Sequence, residues 1–185
     1  PTVHFAFTTE AQYGASPIDT TAYVQVAYEE LGWVFNPQDR TVSFYRGWFP
    51  LGQPEQGGSG ICINKDSQVA INTLIQNAIW EFEGHGDAQS LLFNNNTKLT
   101  IHQVYSLNLN HLRLAVLGGC NTAGSPGIPK EQSISQAIYD QGADAVIGFR
   151  DITSMSSWSL YYMQRFWYYL TKEGATVSQA AVWAG

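Results

Sequence analysis

Charge is scarce in this chain, at 13% of 185 residues, and it leans acidic: nine Lys and Arg against 15 Asp and Glu give a net charge of -6. The nine cations are scattered, with no cluster able to displace counterions from a phosphate backbone, so no nucleic acid is expected among the partners. No apolar run approaches the roughly 20 residues that a spanning helix needs, so no membrane is expected either. Cysteine is limited to Cys62 and Cys120, too few for a disulfide framework. Short Cys and His spacings of the kind that hold a metal are also missing. Both cysteines are therefore expected as thiols, and neither a metal nor a cofactor is expected. No basic and apolar leader opens the chain, but residue 1 is Pro and not Met, so the compartment stays open and the chain is expected to be either complete or a fragment of a longer protein.

What the chain has in quantity is apolar surface, with 44% hydrophobic and 14% aromatic residues. That is enough for one domain of ordinary size over residues 1–185 with a single core. Val3 to Thr9 reads as a strand, and a helix capped near Asp19 carries Tyr23, Val26, Ala27 and Leu31 to a stop at Gly32. Thr41 to Gly47 reads as the second strand of the sheet, followed by a long Gly/Pro loop through Gly60. Asp66 or Ser67 caps a helix whose buried face is Val69, Ile71, Leu74, Ile75 and Ala78. Beyond it Ala78 to Glu83 forms a strand; Lys98 to His102 either closes a hairpin with Leu91 to Phe93 or leads on into Val104. Leu112 to Gly118 is a buried strand, Gln132 to Asp140 a helix ending at Gly142, and Ala143 to Phe149 a further buried strand. Ser156 to Leu170 is a helix with Trp158, Tyr162, Phe166 and Tyr169 on one stripe, and Val177 to Trp183 is the last helix. Strands alternating with helices predict the α/β class: a mainly parallel sheet with helices on both faces.

Two strand ends carry the chemistry. The Leu112 strand stops at Gly118-Gly119 and presents Cys120, and the strand before it stops at Gly84 and presents His85 between two glycines. If the two strands are parallel neighbours, both side chains reach one sheet edge, where open α/β sheets keep their sites. The glycines leave the thiol exposed and let backbone N–H groups face a bound carbonyl oxygen. An imidazole beside the thiol supplies the base that a thiolate needs and the acid that a leaving amine needs. The remaining titratable groups are weaker candidates. His4 and His111 read as packing residues, His102 is undecided, and Cys62 reads as a buried thiol between isoleucines. Asp87 either orients the imidazole or closes a turn, and the turn is favoured.

These stretches resemble a known family. Phe82-Glu83-Gly84-His85-Gly86 resembles the strand-small-His-Gly motif of caspase-fold cysteine peptidases, and Leu114 to Ala123, with Gly118-Gly119-Cys120-Asn121-Thr122-Ala123 at its end, resembles their strand-x-x-Cys-x-Thr-small motif. The nearest branch is that of CHAT domains and separase-like peptidases, and the resemblance continues through Ser133 to Ile138 and Gly142 to Gly148, covering roughly residues 65 to 185. It implies a three-layer caspase-like sandwich, a His85–Cys120 dyad without a required third carboxylate, no metal in the chemistry, and an oxyanion hole from the backbone N–H groups of Gly86 and Cys120. Gly119 is a departure, since a small residue such as Ala is commoner there.

The function expected is that of a cysteine endopeptidase acting on a polypeptide substrate through a thioester acyl-enzyme, with regulatory domains or a partner protein as further candidates for interaction. The alternatives are a catalytically silent caspase-fold interaction module and another acyl transfer on the same dyad. Asp151 follows the strand next to that of Cys120, so it leaves the sheet at the same edge and is a substrate-binding candidate. A carboxylate there favours a basic residue before the scissile bond, by about 1.5 to 3 kcal/mol for a charge-assisted hydrogen bond. In the branch it resembles, an Asp at the matching place goes with a preference for Arg or Lys. The competing readings of Asp151 are a helix cap and an ion pair with Arg150.

Overall fold

A computed structural model describes residues 67–93, 96–151 and 157–185 and, ahead of them, the strand segments 2–3, 5–9, 12–13, 16–17, 33–36, 41–44, 53–54 and 61–63. The chain splits into two compact units, Pro1–Phe5 with Asp19–Ser59 and Met155–Gly185, and Ala6–Ile18 with Gly60–Ser154. The helix expected between Asp19 and Gly32 lies outside the described residues, as do His4, the side chains of Cys62 and Trp158, and most of the loop from 47 to 60.

The second unit holds the site. Its sheet runs β1 (Phe5–Thr9), β2 (Ile61–Ile63), β3 (Ile79–Glu83), β7 (Leu114–Gly118) and β8 (Val146–Gly148), in the spatial order β8-β7-β3-β1-β2. The central strand β7 is parallel to β3 on one side and to β8 on the other, and β1 is parallel to β2. The α/β class and the mainly parallel sheet read from the sequence are both present. Between β3 and β7 the chain makes a small antiparallel sheet of β4 (Gly86–Asp87), β5 (Ser90–Leu92) and β6 (Lys98–Thr100). The hairpin, one of two readings of this stretch, is the one that forms.

One face of β3 and β7 makes the core. Trp80 and Phe82 alternate with Glu81, and Ala115 and Leu117 alternate with Val116, so the apolar pair of each strand shares a face. Against it pack Ala70, Ile71 and Leu74 of α1 (Ser67–Leu74), Val104 of α2 (Ile101–Val104), and Ile134, Ala137 and Ile138 of α3 (Ile134–Asp140). Leu91 and Leu99 join them from the inner face of the hairpin sheet. The Trp80 indole donates to Thr73 Oγ1 at 3.0 Å, which satisfies its one polar atom inside the core.

Several expectations need correction. Thr41–Phe44 is not a strand of the main sheet; it pairs antiparallel with Trp33–Asn36 in a two-stranded ribbon. Two short β-prone runs flank Pro37-Gln38-Asp39-Arg40, and this local hairpin signal outweighs a distant crossover. The place beside β1 falls instead to Ile61–Ile63. Helix α1 ends at Leu74, so Ile75 is exposed and Ala78 half-buried instead of sharing its buried face. Strand β8 is shorter than the stretch 143–149 and only half-buried, because it stands at the sheet edge. In the first unit, α4 (Ser157–Thr171) and α5 (Val177–Ala184) pack together, and the buried apolar residues of α4, among those whose side chains are described, are Met163, Phe166, Trp167 and Leu170. Tyr162 and Tyr169, expected on the buried stripe, are half-buried: Tyr162 donates its hydroxyl to Ala181 O, and Tyr169 accepts from Arg165.

Candidate functional site

The register of β3 and β7 decides where the two candidate side chains go. Glu83 pairs with Gly118, and Gly84 N donates to Gly118 O at 3.3 Å. His85 and Cys120 therefore stand at matching positions, each two residues past that last rung, on neighbouring parallel strands. Their turns are in van der Waals contact. A Cβ added to Gly119 would lie 3.1 Å from Gly84 O and 3.3 Å from Gly86 N, so backbone meets backbone here and only a small residue fits. Both His85 and Cys120 are half-buried, and Cys120 is not in a disulfide.

The Cys120 turn is pinned by its neighbours. Asn121 takes a left-handed φ of 58°, a conformation that Asn tolerates better than most residues. Asn121 N donates to Asp151 O at 3.1 Å and Ala123 N to Phe149 O at 2.9 Å, so the segment following β8 lies along the turn. Thr122 is fully buried; its hydroxyl proton is shared between Leu117 O and Gly119 O at 3.0 and 3.1 Å, while its oxygen accepts from Phe149 N at 3.1 Å. Thr122 O in turn accepts from Ser135 Oγ at 2.8 Å and from Ser135 N at 3.2 Å. A Cβ on Gly148 would fall 2.2 Å from Ser135 Oγ, so glycine at the end of β8 admits this bond. Thr122 and Ser135 act as positioning residues that sequence reasoning quoted only as parts of motifs. Ser133, the N-cap of α3, accepts from Gln136 N and orients that helix beside them.

The His85 turn leads into the hairpin sheet. Leu92 N donates to His85 O at 2.9 Å, which makes His85–Leu92 a hydrogen-bonded rung. Gly86 pairs with Leu91, and by the alternation of an antiparallel ladder that pair is a non-bonded rung. The Gly86 N–H is thus not used by β5, and its nitrogen lies against Gly119. Asp87 closes the turn: its carboxylate accepts from Gln89 N at 2.8 Å and from Ser90 Oγ at 3.0 Å. Two clefts open on this side. One, about 380 Å³, is lined by His85, Asp87, Ser90, Leu92 and Lys98 among others; the second, about 460 Å³, shares Asp87, Ser90 and Lys98 and reaches Asn121.

Asp151 is exposed, and its carbonyl holds the residue next to Cys120. Arg150 is also exposed and forms no ion pair among the described residues, so a pair between Arg150 and Asp151 is not what fixes this segment. His102 sits exposed on α2, and His111 is exposed with Nε2 3.3 Å from Leu74 O. His102 lines the second cleft with Asp87, Lys98 and Asn121.

The other face of β3 holds a feature the sequence reading passed over. Glu81 and Glu83 are buried on it, and the Glu83 carboxyl lies over Gly118, where an added Cβ would be 2.0 Å from Oε2. Burial, and then the neighbouring Glu81, push the Glu83 carboxyl well above the usual carboxylate range. Alternation of charged residues with Trp80 and Phe82 was the signal available.

Compared with known families, the chain matches the model of the CHAT domain over residues 52–182. No curated protein matches it. The match spans more than half of the chain, which therefore belongs to the CHAT-domain family, a caspase-like domain related to cysteine peptidases.

Proposed function

We propose that this CHAT-domain chain is a cysteine endopeptidase that uses Cys120 as nucleophile and His85 as base and acid, and that cleaves after a basic residue. The observation that carries the reading is the shared strand register, which ends two neighbouring parallel strands at His85 and Cys120 with their glycine turns in contact. In this scheme the thiol proton passes to the His85 imidazole, and the thiolate attacks the peptide carbonyl carbon. The carbonyl oxygen becomes an oxyanion facing the Gly86 and Cys120 N–H groups; the freedom of the Gly86 N–H from the β5 ladder supports that role. The imidazolium gives its proton to the leaving amine, the C–N bond breaks, and a thioester to Cys120 remains. Water, giving a proton to His85, attacks the thioester and releases the acid, and the proton returns to sulfur.

Asp151 is proposed to bind the basic side chain, since its backbone is hydrogen-bonded one residue past the nucleophile and its side chain is exposed. A peptide library tests this directly. The reading expects cleavage after Arg or Lys that disappears in Cys120→Ala and loses its basic preference in Asp151→Ala. Cleavage after acidic or apolar residues would remove the Asp151 role, and a Cys120 that labels with thiol probes but never turns over would favour the silent interaction module.

A further inference from the structure

We propose that the cleft beside His85 receives the part of the substrate that departs with the amine, and that Lys98 selects an acidic side chain there, within about three residues of the scissile bond. The proposal rests on the peptidase reading and extends it to the other side of the cleaved bond.

Strand order sets the direction. Asp151 follows β8 and His85 follows β3, and β7 with Cys120 lies between them, so the two flank the nucleophile on opposite sides. The group that protonates the leaving amine must stand beside it, which places the departing segment on the His85 flank and the acyl segment on the Asp151 flank. On the His85 flank the hairpin sheet offers a prepared surface. His85 bonds to Leu92, and Leu92 pairs with Lys98, so the three residues form one rung across the three strands. Residues directly opposite in an antiparallel ladder point to the same face. Leu91 and Leu99, on the alternate positions, are buried in the core, so His85, Leu92 and Lys98 share the outer face and line the same cleft of about 380 Å³.

The charge on that rung is available. Lys98 is exposed and forms no ion pair among the described residues. Asp87, the carboxylate lining the same cleft, spends its two oxygens on Gln89 N and Ser90 Oγ. Two inter-strand steps of about 5 Å separate the His85 and Lys98 backbones by about 10 Å. Three extended peptide residues cover about the same distance. A chain leaving His85 along this rung crosses Leu92 and brings its second or third side chain to the Lys98 ammonium, whose chemistry asks for Asp or Glu. In a protein of net charge -6, a lone lysine at this place also offsets the general repulsion of an acidic segment.

The test uses Cys120→Ala protein, which holds peptide without cleaving it, and fluorescent peptides of one sequence with Arg before the cleavage position and Glu, Gln or Lys at the second position after it. Binding is expected in the order Glu, Gln, Lys, with Glu ahead of Gln by about threefold, the size of an exposed ion pair. Adding Lys98→Ala should erase the difference between Glu and Gln, and Lys98→Glu should invert the order. Lys172→Glu, which changes net charge by the same amount, should leave the order alone. An order that survives Lys98→Glu, an equal effect of Lys172→Glu, or no binding of any peptide would overturn the proposal. Cleavage of the same peptides by the unsubstituted protein separates the two claims. Cleavage without a Glu preference would sink the Lys98 role and leave the peptidase, whereas a Lys98-dependent binding order without cleavage would sink the peptidase and leave the cleft.

Discussion

The turns that follow β3 and β7 meet at one sheet edge but are held in different ways. The Cys120 turn hangs on buried side chains: Thr122 ties it to β7 and to Phe149, and Ser135 reaches it from α3. The His85 turn is joined through backbone, with Gly84 N on Gly118 O and Leu92 N on His85 O, and by the fit of Gly86 against the Thr122 methyl, 3.1 Å from where a Cβ would stand. Cys120 thus sits on a platform fixed by a few polar atoms inside the protein. His85 sits on a joint whose other arm is the β4–β6 hairpin sheet. Substitutions should separate the two, with loss of buried polar pins damaging fold and reactivity together and changes on the hairpin altering recognition first.

The largest effect on stability is expected beneath both turns, at Gly118→Ala, where the new methyl meets the buried Glu83 carboxyl. A loss of about 2 to 4 kcal/mol is expected in denaturant unfolding. Little change would mean that the carboxyl has room to move. Next comes Thr122→Ala, which takes the side-chain acceptor from Phe149 N and the shared hydroxyl donor from Gly119 O and Leu117 O, the latter still accepting from Gly119 N; about 1 to 3 kcal/mol of stability should go, and Cys120 alkylation should slow with it. Thr122→Ser keeps the hydroxyl and should keep most of both. If Thr122→Ala left alkylation untouched, the platform would not depend on this pin.

Glu83 gives a pH test. Its carboxyl is raised in the folded state, so between the unfolded value near 4.5 and the folded one the native protein binds more protons than the unfolded chain. Stability from this group is therefore complete below the unfolded value and falls as pH rises through the folded one, with a slope of at most about 1.4 kcal/mol per pH unit. Melting curves from pH 5 upward should show that fall, and Glu83→Gln should flatten it; an unchanged slope in the variant would assign the pH dependence elsewhere. The smallest effect is expected at Gly119→Ala, where contacts of 3.1 to 3.3 Å require the neighbours to yield a few tenths of an ångström, at a cost of about 1 kcal/mol or less.

Much of this site was legible in the sequence because it is written in short range. An apolar run stopped by glycine and followed by His or Cys is a local signal, and α/β alternation made the two strands candidates for parallel neighbours, which their register then shows. The pins were not legible, since Thr122 meets Phe149 and Ser135 across 27 and 13 residues, and a threonine in a loop looks the same whether buried or exposed. The Thr41 strand was misplaced because periodicity identifies a strand without naming its partner. On α4, aromatics on every side of the helix blurred the stripe. Phe166 belongs to both the expected and the observed faces, and the tyrosines turned outward to satisfy their hydroxyls. Asp87 was decided only by its bonds to Gln89 and Ser90.

The central claim, that His85 and Cys120 work as one unit, is tested most directly by alkylation of Cys120 with iodoacetamide near neutral pH, followed by mass spectrometry of the Cys120 and Cys62 peptides. A working dyad predicts that Cys120 labels much faster than Cys62 in the folded protein, and that His85→Ala slows Cys120 at least tenfold, with unfolding curves showing the variant still folded. Equal rates at the two cysteines, or a Cys120 rate indifferent to His85→Ala, would contradict it.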